Sequence, residues 1–543
     1  MAESISFGEI HLDVEPSRAR QRPRPRPETP FRIVVLGDFS GRSNRAAAGG
    51  KRGAGPKPVL IDRDNLDEVV EKLGTRLTLP IGGASGAEVE LRFRELDDFE
   101  PDRIYEQASL FRTLRETRRR LADPAEFENT AAGLGLIRGG AEDRPAAAES
   151  RAARGGPGGV ESPEAAQTAP DPRVLSGANL LEDALEATVE RTEPSGQHGG
   201  RARRREDDLS AFLRRIVAPY AVTSPHPKQE EVLARWDQAI TEQMRAVLHH
   251  PDCQALEAAW RGLFLLTRRL ETGTDLKIYL VDWTQEELAA DLENCSDLRE
   301  CRLAKALADP GGDWASEPGW GVFAGLYRFG ATVEDAVSLA RLAVVAGYLG
   351  APFLAEAAPD VFGCESLAAT PDPSDWRRPQ DPEAAQSWDL LRGLPQATYL
   401  ALAAPRFLLR LPYGKETVPT EEFPFEEVSL EGPSGPRHED FLWGSPALAC
   451  ACMLGQNFSQ HGWEMRAGQV RRLDGIPLYL YKHRGEAVQL PPAEAWLGER
   501  AAAAMLDYGV LPLLSVKNRD AAVLFDIRSL AKGDEPLAGA WGS

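Results

Sequence analysis

An α/β fold of the mixed α+β kind, in two blocks joined by a linker and preceded by a strand arm, is predicted by three observations. Apolar strand-like runs alternate with segments of helical period on both sides of the middle of the chain. No Phe, Trp or Tyr stands between Phe127 and Phe212, an interval carrying RGGAEDRPAAAES and RAARGGPGGVESPEAAQTAPDP. Such a stretch cannot bury enough apolar area to offset the entropy of ordering it. All eleven Trp follow that interval, so the two blocks are expected to have separate cores. The boundaries read as an arm and Arg/Pro tether over 1–30, a first α/β domain over 31–130, a low-complexity linker over 131–211 and a second α/β domain over 212–543.

In ISFGEIHLDVE the apolar residues Ile10, Leu12 and Val14 alternate with His11, Asp13 and Glu15, the period of a half-buried strand, and Ile5 and Phe7 continue it loosely. SRARQRPRPRPETP follows, an Arg/Pro run that favours an extended conformation and cannot join a helix. A lone strand on a stiff tether has no sheet of its own, and an unpaired strand must find a partner edge. Either it folds back onto its own domain or it pairs elsewhere, and the tether length favours the second.

Arg32 to Leu36 (RIVVL) is a buried-strand run ending at the turn GDFSGR, and DRDNLDEVVEKL is a capped helix with Leu66, Val69, Val70 and Leu73 on one face. VELRF alternates as a strand, and after the DDFEPD turn one long helix is expected toward Leu121, with Pro101 near its start and Pro124 past its end. The second block opens with helices over roughly Lys228 to Leu248 and Asp252 to Leu270. A strand from Leu276 to Trp283, a strand from Gly321 to Tyr327, a helix from Val333 to Tyr348, a strand from Phe407 to Leu411 and a helix from Pro446 to Phe458 follow. The tail reads as a hairpin, Val510 to Val516 with Ala521 to Ile527, joined by KNRD.

The formal charge is −20, a sign that repels nucleic acid and anionic membrane surfaces. The most apolar stretch, Leu342 to Ala355, is interrupted by Gly347, Gly350 and Pro352 and is too short to span a bilayer. The N-terminus MAESISFGEI has no basic region followed by an apolar core, which reads as a cytoplasmic chain. Six cysteines form no CxxC pair and no His stands at zinc-finger spacing. His249, His250 and Cys253 flank Pro251, where a helix break accounts for the sequence without a metal, and Cys450 and Cys452 lie two apart on a helix and cannot share a face. GDFSGR is the best phosphate-loop candidate, but it lacks the GxxxxGK[ST] spacing, and Asp38 would repel phosphate. Asp38 is instead expected to cap the turn. No nucleophile, base and orienter can be assigned, so neither an enzyme nor a cofactor is expected.

Through PFRIVVLGDFSGR, IDRDNLDEVVEKL and VELRFRELDDFEPD, the first block resembles the small contractile-sheath subunit of bacterial type VI secretion systems. Through LHHPDCQALEAAWRGLFLL, APFLAEAAPDVFG, APRFLLRLPYG, FLWGSPALACA and GVLPLLSVKNRDAAVLFD, the second resembles the large subunit. The chain therefore looks like a fusion of two sheath-type domains, VipA-like and VipB-like. The resemblance implies a structural subunit, in the bacterial cytoplasm, that stacks with itself or a sheath-like paralogue into a helical sheath around an inner-tube protein on a baseplate, and contracts to propel the tube. It also implies that Ile10, Leu12 and Val14 are donated to a neighbour as an exchanged strand. The segment SGANLLEDALEATVE, near 179–190, stands where the family presents a helix to a ClpV-type AAA+ unfoldase. There Leu181, Ala184, Leu185 and Thr188 share a helical face with Leu180 alongside. Family large subunits continue beyond the hairpin, whereas this sequence stops at Ser543 after SLAKGDEPLAGAWGS. The absent C-terminal extension keeps a second expectation open, a non-polymerising sheath-like adaptor, cap or assembly regulator.

Overall fold

The run Phe31–Gly37 is apolar on both faces, and such a strand is stable only between parallel neighbours with helices above and below. The computed structural model describes residues 3–7, 10–14, 25–47, 55–81, 87–136, 229–308, 320–377, 381–430 and 435–541, and it gives this strand those neighbours from the other half of the chain.

In chain order the elements begin with β1 (Glu3–Phe7), β2 (Ile10–Val14), β3 (Phe31–Gly37), α1 (Arg42–Ala47), β4 (Val59–Ile61), α2 (Leu66–Leu73), β5 (Arg76–Ile81) and β6 (Ala87–Arg92). Helices α3 (Pro101–Gln107), α4 (Ser109–Ala122), α5 (Phe127–Gly133), α6 (Gln229–Leu248) and α7 (Pro251–Arg269) follow. Then come β7 (Leu276–Asp282), α8 (Gln285–Glu293), α9 (Arg302–Ala308), β8 (Trp320–Phe329), α10 (Val333–Leu349), β9 (Phe353–Ala357), α11 (Pro382–Arg392) and β10 (Leu400–Ala404). The remainder is β11 (Phe407–Leu408), β12 (Trp443–Gly444), α12 (Pro446–His461), β13 (Arg472–Asp474), β14 (Leu480–His483), β15 (Glu486–Gln489), α13 (Glu499–Asp507), β16 (Val510–Ser515) and β17 (Ala521–Leu524).

Nine strands form one mixed sheet in the order β13-β17-β16-β10-β9-β8-β3-β7-β4. From β16 to β7 the pairings are parallel, and β4, β17 and β13 add antiparallel edges. Strand β3 runs in register with β7 from Phe31 opposite Leu276 to Gly37 opposite Asp282, and with β8 on its other edge. Val34 and Leu36 enter a core shared with α8, α9, α10 and α11, while Ile33 meets α12 at Gly455. Phe31, Ile33, Val34, Val35 and Leu36 are all fully buried, worth roughly 2 kcal/mol each. Phe31 stacks on Phe458 at 4.9 Å and meets Trp463 at 5.5 Å, and the Trp463 indole donates to Thr29 O at 2.7 Å. Gly321 lies on β8 where any Cβ would strike the Phe31 ring, 2.5 Å away.

The expectation of separate cores is therefore corrected. The aromatic gap marks a segment poor in packing residues, but it does not say where the strands on either side find partners. A division at the linker does not describe the compact units either. One unit joins residues 1–81, 88–109 and 243–543, and the other joins 82–87 with 110–242. Within the second unit the Trp236 indole donates to Leu114 O at 3.1 Å, Arg118 pairs with Asp237 at 2.9 Å, and Leu114, Leu121, Val232 and Trp236 are buried. Order also extends past residue 131, because Leu136 is buried.

Three further expectations change. The long helix before Leu121 is two helices, because Ala108 adopts an extended conformation (φ −75°, ψ 133°) and Ser109 starts α4 afresh. The strand beginning at Phe407 ends at Leu408, since Arg410 turns inward to a buried ionic cluster. The arm is not a lone strand, because β1 and β2 pair antiparallel as a two-stranded sheet of their own. The hairpin Val510–Ser515 with Ala521–Leu524 is present as expected. Among the described residues no helix is long and apolar enough to cross a membrane.

If the sheet is interleaved, residues 212–543 expressed alone should lack a cooperative melting transition, and co-expression with residues 1–136 should restore one. Circular dichroism melts of the two preparations check this, and cooperative unfolding of the isolated second half would contradict the shared sheet.

Candidate functional site

Three places were candidates on sequence grounds: the GDFSGR turn, the arm and the linker helix. The turn lies at the carboxyl ends of β3 and β7, where open α/β sheets commonly bind ligands. Here the polar groups are spent on one another. Asp38 accepts from the backbone N–H of Arg42 and of Ser43, both at 2.7 Å, so it caps the turn as expected and with it the start of α1, a helix not read from the sequence. Asp282 accepts from Phe39 N at 2.9 Å, from Ser40 N at 3.1 Å and from the Ser40 hydroxyl at 2.8 Å. Burial pushes the Asp282 carboxyl up, against the pull of the Ser40 hydroxyl and the Phe39 N–H. Arg42 donates to Asp282 O and reaches Glu287 at 2.8 Å. The Trp260 indole donates to Phe39 O at 2.8 Å and its ring meets Phe39 edge-on. The turn is thus an ionic joint between the two halves of the sequence.

A second joint went unseen in the sequence. Arg410, inside the APRFLLRLPYG motif, reaches Glu257 of α7 at 2.7 Å and Glu427 at 2.7 Å, and its guanidinium lies 4.3 Å from the Tyr413 ring. Arg261, one helical turn after Glu257, holds the same carboxylate at 2.6 Å and the Tyr413 hydroxyl at 2.9 Å. The Glu257 side chain is fully buried. Burial alone would push its carboxyl up, but Arg410 and Arg261 outweigh burial and hold it below the usual range. His249 completes the cluster, with Nδ1 3.3 Å from Asp440 and Nε2 3.8 Å from Glu427. Burial keeps its imidazole below the ordinary range in spite of those two carboxylates.

The remaining candidates fall as follows. Ile10, Leu12 and Val14 lie in β2 opposite Phe7, Ile5 and Glu3 of β1. Leu180, Leu181, Ala184 and Leu185 lie outside the described residues. His250 accepts from Asp252 N at 3.2 Å and caps α7, in keeping with a helix break at Pro251. Cys450 and Cys452 are buried in α12, and burial pushes each thiol up to about 12. Among the described residues no cluster of His, Cys, Asp and Glu is arranged to hold a metal. A small cavity lined by Leu36, Leu303, Phe323, Leu342 and Phe353 among other apolar side chains offers no polar group to orient a substrate.

Comparison with known proteins agrees with this geometry. A family model described as EvpB/VC_A0108, tail sheath N-terminal domain (VipB), matches residues 230–531, and one described as Type VI secretion system, VipA, VC_A0107 or Hcp2, matches residues 9–130. The type VI secretion system sheath protein TssC1 of Pseudomonas aeruginosa is 31% identical over 321 residues, which is 57% of this chain and 64% of that relative. The chain therefore spans less than two thirds of the length of that relative.

The buried joint makes two measurable demands. Glu257→Gln should cost about 3–5 kcal/mol in urea unfolding by leaving Arg410 and Arg261 without their shared partner, whereas Lys72→Ala, at a pair 73% exposed on both sides, should cost less than about 0.5 kcal/mol. Equal losses would show that the cluster does not hold the fold. Because the folded state resists protonating His249, its contribution is complete above the ordinary histidine range and is lost as pH falls below about 6.5. His249→Gln should therefore flatten the fall in melting temperature between about pH 7 and 5, and an unchanged slope would assign that fall to other groups.

Proposed function

We infer the role of this protein from its family: the chain belongs to the VipB tail-sheath family, whose model matches more than half of it, and it carries a VipA-like segment on the same chain. It is a structural subunit of a type VI secretion contractile sheath, a single-chain protomer combining what look like the small and large subunits. The observation that carries this reading is the position of β3, from the VipA-like segment, between β7 and β8 of the VipB-like segment. Both halves complete one sheet, as a protomer requires and as two independent modules on a tether would not.

The finer parts of the reading rest on the family. Protomers stack in the bacterial cytoplasm, with copies of this chain or a paralogue, around an inner-tube protein and on a baseplate, and they contract to drive the tube outward. The arm with Ile10, Leu12 and Val14 ties neighbours by strand exchange. Its support is its place in the chain, together with its being a two-stranded sheet apart from the main one, since a two-stranded ribbon alone is marginal in water. Leu180, Leu181, Ala184 and Leu185 are the grip for a ClpV-type unfoldase, supported by the helical spacing that puts Leu181, Ala184 and Leu185 on one face with Leu180 alongside. The protein has no catalytic role.

Negative-stain microscopy of the purified protein with a sheath paralogue should show tubes. Deletion of Met1–Glu15 should abolish them while leaving helical content and melting temperature unchanged. Discrete particles from the full chain would favour an adaptor, and a large loss of stability on deletion would make the arm intramolecular. A peptide spanning 179–190 should bind a cognate unfoldase N-domain and lose binding on Leu181→Asp. No binding by the native peptide would remove the unfoldase from the account.

A further inference from the structure

A third buried cluster lies at the carboxyl ends of the central strands, and its charges do not balance. Arg328 of β8 and Glu356 of β9 stand opposite each other in the sheet. The Glu356 side chain is only 11% exposed, and its carboxylate lies 3.4 Å from Arg328 Nε and 4.0 Å from Arg406 Nε. Arg328 is half exposed, so water screens its pull. Arg406, just after β10, is committed elsewhere. Its backbone N–H donates to Glu494 Oε2 at 2.7 Å, and its Nη2 and Nε donate to Oε1 at 2.7 and 3.2 Å. His438 Nε2 lies 2.9 Å from the same oxygen, with its ring stacked on Trp443. Glu494 itself sits at φ +51°, a left-handed conformation that a residue with a side chain adopts at a cost, so these bonds also hold its backbone.

Two largely buried carboxylates therefore face one partly buried arginine, and Glu494 has it. For Glu494, burial is outweighed by His438 and Arg406, and its carboxyl is held down to about 2. For Glu356, burial prevails over Arg406 and Arg328, and Glu494 adds to it, so its carboxyl is pushed up to about 7. Neighbouring carboxylates driven apart in this way divide the charged and neutral roles between them.

We propose that Glu356 is a proton-operated latch on the joint between β8, β9, β10 and the segments carrying His438 and Glu494. Neutral, it leaves Arg406 wholly on Glu494 and the joint is closed. Ionised, it is a buried anion drawing on Arg406 and Arg328, and the joint loosens. Because the folded state holds this proton more tightly than an unfolded chain, the stabilisation is complete below the ordinary glutamate range and is lost as pH rises through about 7. The groups facing Glu356 are Arg328 from β8, Arg406 from the β10–β11 turn and Glu494 from the turn before α13, with His438 one contact further out.

Hydrogen exchange over residues 404–409, 436–442 and 492–496, corrected for intrinsic rates, tests the latch. Protection in the wild type should fall by up to about tenfold per pH unit between about pH 4.5 and 7 and level off above that. Glu356→Gln, which keeps the neutral form at every pH, should give a flat profile at the level of the protonated wild type. A wild-type pH profile surviving in Glu356→Gln, or a flat profile in the wild type, would overturn the proposal. Should the variant fail to fold, infrared titration of the wild type decides. A carboxylic-acid band present near pH 6 and gone by about pH 8.5 is expected, and its absence near pH 6 would overturn the proposal equally.

Discussion

A parallel strand that is apolar on both faces cannot stand at an edge, and the architecture follows from that constraint. With Phe31, Ile33, Val34, Val35 and Leu36 all fully buried, β3 needs a strand on each side and helices above and below. Among the described residues its own half of the chain offers a three-residue strand, β4, and two separate pairs, β1 with β2 and β5 with β6. Only β7 and β8 can flank it, so the two halves must fold together. A single chain makes that meeting intramolecular, with an effective concentration set by the connecting segment, and it fixes the halves at one to one.

Interleaving also explains where the charged side chains lie. The Asp38 and Asp282 joint and the Glu356 and Glu494 joint both lie at carboxyl ends of parallel strands, a region that enzymes of related topology keep open for ligands. Although Glu356 is left with weaker partners, polar and charged groups partner one another at Asp38 and Asp282, and at Glu494 with Arg406. The Glu257, Arg410 and Glu427 cluster does the same between α7 and the loop after β11. Buried pairs of this kind add little net stability over a well-packed apolar core, but breaking one is costly. They therefore fix a single arrangement of loops, which suits a part that we propose transmits force as a sheath subunit.

Much of this was legible in the sequence, and what was not has identifiable causes. The RIVVL strand, the helices from Val333 and from Pro446 and the tail hairpin were read from the sequence, and Asp38 was placed correctly as the cap of its turn. The short buried strands FLAEA and LALAA gave no periodic signal, because alanine-rich runs covered on both faces do not alternate. Arg410 and Glu257 are 153 residues apart, and nothing local pairs them. The only clue was an arginine within an apolar motif, which signals a buried partner without naming it. The separate-core expectation failed because the aromatic gap reports composition, whereas the two-faced apolarity of RIVVL was the better guide. The arm was seen as a strand, but Glu3–Phe7 was too loosely alternating to be recognised as its partner. The family was recognisable from ordered motifs, and the geometry then gave them a physical reason.

The central claim is that β3 unfolds only together with the strands on either side of it. Native-state hydrogen exchange in low denaturant measures this directly, through the amides of Ile33 to Leu36 in β3, Ile278 to Val281 in β7 and Val322 to Ala324 in β8. A shared sheet predicts that all three sets open with one free energy and one denaturant dependence, equal to those of global unfolding. Exchange of the β3 amides at a distinctly lower free energy, with β7 and β8 still protected, would contradict it.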